Sequence, residues 1–201
     1  MPKTGSKKLR KTGARKNCID DDAFLLDNQR GMSLGKRCAM KYEYNKDELM
    51  QWHYGDTEEE ANRIASEILD GRRTAIIQYF DWALGGNGNL TTAECDALSN
   101  EKLQGLLSDC REMYPKSGDI NILTDWDGVP QCVIRTKGFG LMHLGDIPIE
   151  VAELENGATD IEEWQVNKCN ELLEFLSPLS VNSRTVMSIE IIEVLEKLFT
   201  H

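Results

Sequence analysis

Gly71-Arg72-Arg73-Thr74-Ala75-Ile76-Ile77-Gln78-Tyr79-Phe80 is the stretch that decides the fold. A helix must end at its first residue and a strand must begin within four more. Upstream, Ala61, Ile64, Ala65, Ile68 and Leu69 recur at i, i+3, i+4, i+7 and i+8, one apolar stripe on a helix. Asp56 or Thr57 caps that helix, and Thr57 with Glu60 has capping-box spacing. Glu58, Glu59 and Glu60 lie at the positive end of its dipole. Gly71 then takes the left-handed position that closes a helix. Downstream, Ala75 to Phe80 is rich in β-formers and reads as a strand.

Working outward, Asn45 caps a short helix expected over Lys46 to Trp52. Asp81 to Asn89 follows, and its Gly85-Gly86-Asn87-Gly88-Asn89 run reads as a flexible loop without the Gly-Lys-Ser/Thr of a phosphate loop. A helix within Thr92 to Met113 turns Leu103, Leu106 and Leu107 inward. Ile120 to Thr124 and Val129 to Thr136 form a hairpin through Asp125-Trp126-Asp127-Gly128. Gly138 and Gly140 mark a bulge before Leu141 to Leu144. Asp160 caps a helix with Ile161, Trp164, Cys169, Leu172, Leu173 and Leu176 mostly on one face. Val186 to Phe199 satisfies helical spacing and strand composition alike, so periodicity alone leaves it open. Short strands mixed with peripheral helices give an α+β class with a small barrel or curled sheet as core.

Charge divides the chain of 201 residues. Seven of the 23 Lys and Arg fall in residues 1–16, which hold no acid; the other 16 face 34 Asp and Glu, leaving residues 17–201 at −18. Residues 1–44 read as a poorly ordered basic tail and residues 45–201 as the domain. The tail is either an electrostatic arm for RNA or DNA or a solubilising or targeting segment. The acidic body argues against generic nucleic-acid binding by the domain and leaves room for a local pocket. No stretch has the length of a membrane span, so no membrane partner is expected. The six cysteines show neither C-x-x-C pairing nor zinc-ligand spacing, which points to reduced thiols in a cytoplasmic or nuclear compartment. Neither a metal site nor a cofactor is expected.

Four segments stand in order. They are Trp52-His53-Tyr54-Gly55-Asp56 before the amphipathic helix, Gly71 to Ala75 after it, Gly118-Asp119 before the hairpin, and Ala152-Glu153-Leu154-Glu155-Asn156-Gly157 leading through Asp160 to Trp164. The set resembles an ASCH domain of the PUA-like superfamily over about residues 48–176 and the final segment. The resemblance implies a small PUA-like β-barrel flanked by helices, and it turns Val186 to Glu196 into the closing strand. It also implies a cleft between barrel and helices, and a field of function in RNA or modified nucleosides. Small bacterial members hydrolyse N4-acetylcytidine with a lysine, a threonine and a glutamate. By position these become Arg73, Ile76 and Glu155, and a later arginine becomes Gln78. Arginine does not give up its proton, and isoleucine is no nucleophile.

The candidate site is therefore Glu155, Arg73 and Thr74 for chemistry, with Arg72, Arg73 and Trp126 for ligand contact. Thr74 offers a hydroxyl on the strand face of Ile76, and Trp126 an aromatic face at a hairpin tip. The favoured expectation is a module binding RNA or a nucleoside-like ligand, with DNA as a further ligand. Two alternatives stay open: a hydrolase (ribonuclease or N4-acylcytidine amidohydrolase) using Glu155 and Arg73, and a protein-interaction domain with a basic targeting tail.

Overall fold

Thr57 accepts a hydrogen bond from the N–H of Glu60 at 3.2 Å and opens helix α1, Glu58–Leu69. Glu60 reaches back to the N–H of Asp56 at 3.1 Å, one residue earlier than a standard capping box. Ala61, Ile64, Ala65 and Ile68 are buried as the stripe requires. Gly71, at φ 72°, ends the helix. Its N–H meets the carbonyl of Ile68 and that of Arg72 meets Glu67, the paired bonds of a Schellman cap. Strand β2, Ala75–Tyr79, follows at once.

The computed structural model describes residues 42–80, 94, 96–109, 114–178 and 180–198. The expected loop Gly85 to Asn89 and the side chain of Leu106 lie outside them. The remaining elements are β1 Gln51–Trp52, α2 Asn100–Asp109, β3 Ile120–Thr124, β4 Pro130–His143, α3 Ile149–Asn156, α4 Ile161–Leu173 and β5 Val186–Lys197. One 3-10 turn spans Lys46–Glu48 and another Leu144–Asp146. Among the described residues, no helix is long and apolar enough to cross a membrane.

The five strands form one mixed sheet in the order β1-β3-β4-β5-β2. β1 pairs parallel with β3, and the other neighbours pair antiparallel. Among the described residues the expected barrel does not close. Its terminal strands are β1 and β2, and β1 is only two residues long. The far edge of β2 is flanked by α3 and α4 in place of another strand: the Thr74 N–H donates to the Leu154 carbonyl at 2.8 Å, and the Lys168 ammonium approaches the Ile77 carbonyl at 3.5 Å.

The ambiguous final segment is a strand. Its register with β4 shifts where Val133 meets Ile134 and again between Thr136 and Gly138, the second being the bulge that Gly138 announced. The short helix expected over Lys46 to Trp52 shrinks to one 3-10 turn. Asn45 caps it through the Asp47 N–H, but Leu49 turns extended (φ −78°, ψ 140°) and the Ile122 N–H bonds the Met50 carbonyl. Pairing with β3 thus overrides local helix propensity.

Alternation along β5 and β2 sorts the core onto two faces. Ile76 and Ile192 pack with Ile64, Ala65 and Ile68 of α1. Ile77, Met187 and Ile189 pack with Ala152, Trp164 and Leu172 of α3 and α4. A third cluster seats Leu103 and Leu107 of α2 on Phe80, Leu141 and Val186. Leu173, expected on the buried face of α4, is 41% exposed; Lys168 is buried instead. Trp164, Lys168 and Leu172 are spaced by four and form the inward line of that helix.

Candidate functional site

Arg73 follows the Schellman cap with its side chain turned inward, and it is 6% exposed. Its Nε donates to Glu67 Oε2 at 2.8 Å, and Glu67 also accepts from Arg63. Glu155 occupies the last turn of α3, closed by Gly157 at φ 76°. The short connection to Asp160, which caps α4 through the Glu162 and Glu163 N–H groups, folds α4 back over Glu155. Glu155 is thereby 2% exposed.

Three donors converge on that carboxylate. The indole Nε1 of Trp164 donates to Oε2 at 2.9 Å. The ammonium of Lys168 donates to Oε1 at 2.9 Å. Arg73 Nη1 stands 3.7 Å from the same oxygen. Lys168 also donates to Glu171 Oε2 at 2.9 Å. Buried charges at this depth are tolerable only when paired and hydrogen-bonded, and each of these is.

A cavity of about 120 Å³ opens beside the group. Ile76, Ile77 and Gln78 of β2 line its floor, Glu60, Arg63 and Ile64 of α1 one side, and Glu155, Lys168 and Glu171 the other, with Arg73 between. Arg73, Ile76, Gln78 and Glu155, the four positions carried over from the resemblance, thus share one cavity. Three cations (Arg63, Arg73, Lys168) face three carboxylates (Glu60, Glu155, Glu171) around it. Lys168 is the residue that sequence reasoning missed. It brings a primary amine to the site from α4, where the β2 position holds Arg73.

Other candidates stand apart. Thr74 lines a different cavity of about 470 Å³, between the end of α1 and residues 192–197 of β5, and is not among the residues lining the first. Arg73 touches both. The larger space is walled mainly by Ile68, Leu69, Ile192, Val194 and Leu195. We assign the site to the smaller one because the buried charged groups converge there. Arg72 is turned outward on Asp70, with a side chain 62% exposed. Trp126 is 39% exposed at the hairpin tip. It leans on His53 with ring centroids 5.0 Å apart and lines neither cavity.

A second polar cluster lies inside the sheet. Glu190 accepts from Thr136 Oγ1 at 2.6 Å and from the Tyr54 hydroxyl at 2.9 Å. Burial pushes its carboxyl above the usual range, against the lowering effect of those two bonds. Burial, followed by the Glu190 charge, raises the Tyr54 phenol well above its ordinary value. This cluster lines neither cavity and ties the Trp-His-Tyr-Gly-Asp segment to β4 and β5.

No family model and no curated protein matches the chain. Solved structures do. An ASCH domain from Lactobacillus crispatus aligns with a TM-score of 0.51 at 18% identity, over 74% of this chain and 80% of that one. A protein from Enterococcus faecalis of the DUF984 family model aligns with a TM-score of 0.49 at 20% identity, over 76% of this chain and 84% of that one. The fold is of the ASCH type.

Proposed function

We propose that this ASCH-type chain is a recognition module for a nucleoside-like ligand, free or within RNA, that inserts a base-sized polar group into the cavity between α1, β2 and α4. The observation that carries this reading is the charge balance around the cavity. A phosphate-binding site would present a surplus of cations. Here three cations meet three carboxylates, an environment suited to a neutral group with donors and acceptors on its rim. Lys168 and Arg73 donate to ligand carbonyl oxygens, and Glu171 on the rim accepts from ligand N–H groups.

Size agrees. Sites for drug-sized ligands occupy about 300–1,000 Å³, whereas this cavity holds about 120 Å³. One ring enters and the rest of the ligand stays outside. Arg72, exposed and tied to Asp70, is no part of this site in our reading. Calorimetric titration with cytidine, uridine and a short single-stranded RNA tests the proposal. Binding should weaken about tenfold or more in Lys168→Met and change little with salt. Absence of binding to all three at low salt sinks it.

A hydrolase reading has one observation in its favour. The Lys168 amine, 2.9 Å from Glu155, supplies the proton-transfer group that Arg73 does not. Against it, both Glu155 oxygens already accept hydrogen bonds from Trp164 and Lys168, so neither stands free to receive a proton from water. Turnover of N4-acetylcytidine that is lost in Lys168→Met would favour hydrolysis; binding without turnover favours the module.

A further inference from the structure

We infer that the outer edge of β2 reads the ligand through the main chain of Ile77, whose N–H and C=O form a paired donor and acceptor for a cis-amide edge, as in a lactam or a pyrimidine ring. The nucleoside case rests on the function proposed above; the amide preference itself does not.

The argument begins with strand parity. In an antiparallel pair the residues alternate between those whose N–H and C=O face the partner and those whose groups face away. The Ile192 N–H bonds the Thr74 carbonyl at 2.9 Å, and the Phe80 N–H bonds the Val186 carbonyl at 3.1 Å. With Ile76 opposite Glu190 and Gln78 opposite Ser188, the even residues of β2 face β5. Ile77, opposite Ile189, therefore turns both main-chain groups outward. The Lys168 ammonium 3.5 Å from the Ile77 carbonyl lies on that outer side.

β2 is the last strand of the sheet, and no further strand covers that side among the described residues. Ile77 packs in the cluster beneath α3 and α4 and is 3% exposed as a whole residue, yet it lines the cavity. Strand parity and the Lys168 contact assign to the cavity the edge of its peptide groups. In an extended residue the N–H and C=O point the same way, so one planar amide can engage both: its carbonyl or ring nitrogen accepts from the Ile77 N–H, and its own N–H donates to the Ile77 C=O. That carbonyl has a second lone pair, so Lys168 can stay in place and donate to another ligand oxygen.

The occupant is limited by its surroundings. A volume of about 120 Å³ equals roughly four waters at ~30 Å³ each, room for one six-membered ring. An added peptide strand would need the length of the β2 edge. At its start that edge is already closed by the Thr74 N–H bond to Leu154 of α3.

The test uses the full ¹⁵N-labelled chain and two matched pairs of probes. These are 2-pyridone with N-methyl-2-pyridone, and cytidine with N4,N4-dimethylcytidine. The expected result is that 2-pyridone and cytidine shift the Ile77 amide resonance and that each methylated analogue binds about tenfold more weakly or worse. If 2-pyridone moves Ile77 and cytidine binds nowhere, the edge reader stands and the nucleoside reading falls. If cytidine moves the Trp164 indole resonance but leaves Ile77 still, or methylation changes nothing, the edge reader is overturned and the nucleoside reading survives. Silence of every probe overturns both. An extended tetrapeptide that moves Ala75, Ile77 and Tyr79 together, with 2-pyridone silent, overturns it in favour of strand addition.

Discussion

Glu155→Gln isolates the charge at the centre of the site while keeping its shape. The wild-type carboxylate faces two cations and one indole N–H. The amide has one acceptor oxygen. If that oxygen stays with Trp164, the new NH₂ group confronts the donors of Lys168 and Arg73. If it turns to Lys168, the indole loses its acceptor. Breaking a buried pair by neutralising one partner costs about 3–5 kcal/mol, most of it from the charge left behind. Lys168 keeps Glu171, and Arg73 keeps Glu67. The loss should therefore fall near the lower end, about 3 kcal/mol, a large share of a stability of about 5–15 kcal/mol. Removing the stranded charge as well, in Glu155→Gln with Lys168→Met, should cost clearly less than the two single losses added, with a coupling of about 2 kcal/mol. Urea unfolding followed by tryptophan fluorescence measures all four proteins. A single-variant loss below about 1 kcal/mol, or simple additivity, would refute the claim that Glu155 is a buried charge held by Lys168.

Three further outcomes follow from particular contacts. Glu190 has a folded pKa raised by burial above its ordinary 4.5, so its contribution is full below that value and is lost as pH rises through the folded one. Glu190→Gln should therefore gain on the wild type as pH rises, by about 1.4 kcal/mol for each unit separating the folded and unfolded values; urea midpoints from acid to neutral pH check the sign, and a shrinking advantage contradicts it. Gly71→Ala meets nothing within 4 Å of the new methyl. Its cost is the left-handed backbone alone, about 1 kcal/mol in a thermal or urea melt. Arg72→Ala, by contrast, removes an exposed ion pair and should change stability by less than about 0.5 kcal/mol and leave ligand titrations untouched.

The parts legible in the sequence were those set by local chemistry. Thr57, Gly71 and Asp160 each announce a helix end because capping involves residues only a few positions away. The hairpin and the Gly138 bulge are local in the same sense. What stayed hidden depends on partners far along the chain. β1 exists because residues 50–52 meet β3 some seventy residues later. The open sheet follows from α3 and α4 flanking the edge that a closing strand would have used. Lys168 had a signal, its place midway between Trp164 and Leu172 at intervals of four. A stripe read for apolar residues alone passes over it and selects Leu173, whose side chain proves exposed. Glu155 was named through the resemblance, and its burial depends on α4 folding back.

Glu67 has a consequence for the thermodynamics of recognition. Its carbonyl accepts the N–H groups of Arg72 and Arg73. Its carboxylate holds the Arg73 guanidinium from the same residue. Helix termination and side-chain aim are therefore one event, completed when the chain folds. A free arginine loses up to about 2 kcal/mol of rotamer freedom when it is fixed. Here that entropy is surrendered on folding, so under the proposed function a ligand would have little left to immobilise at Arg73. The same lock predicts that a substitution at position 67, on the far side of the guanidinium from Glu155, would loosen affinity by restoring motion while leaving every direct ligand contact in place.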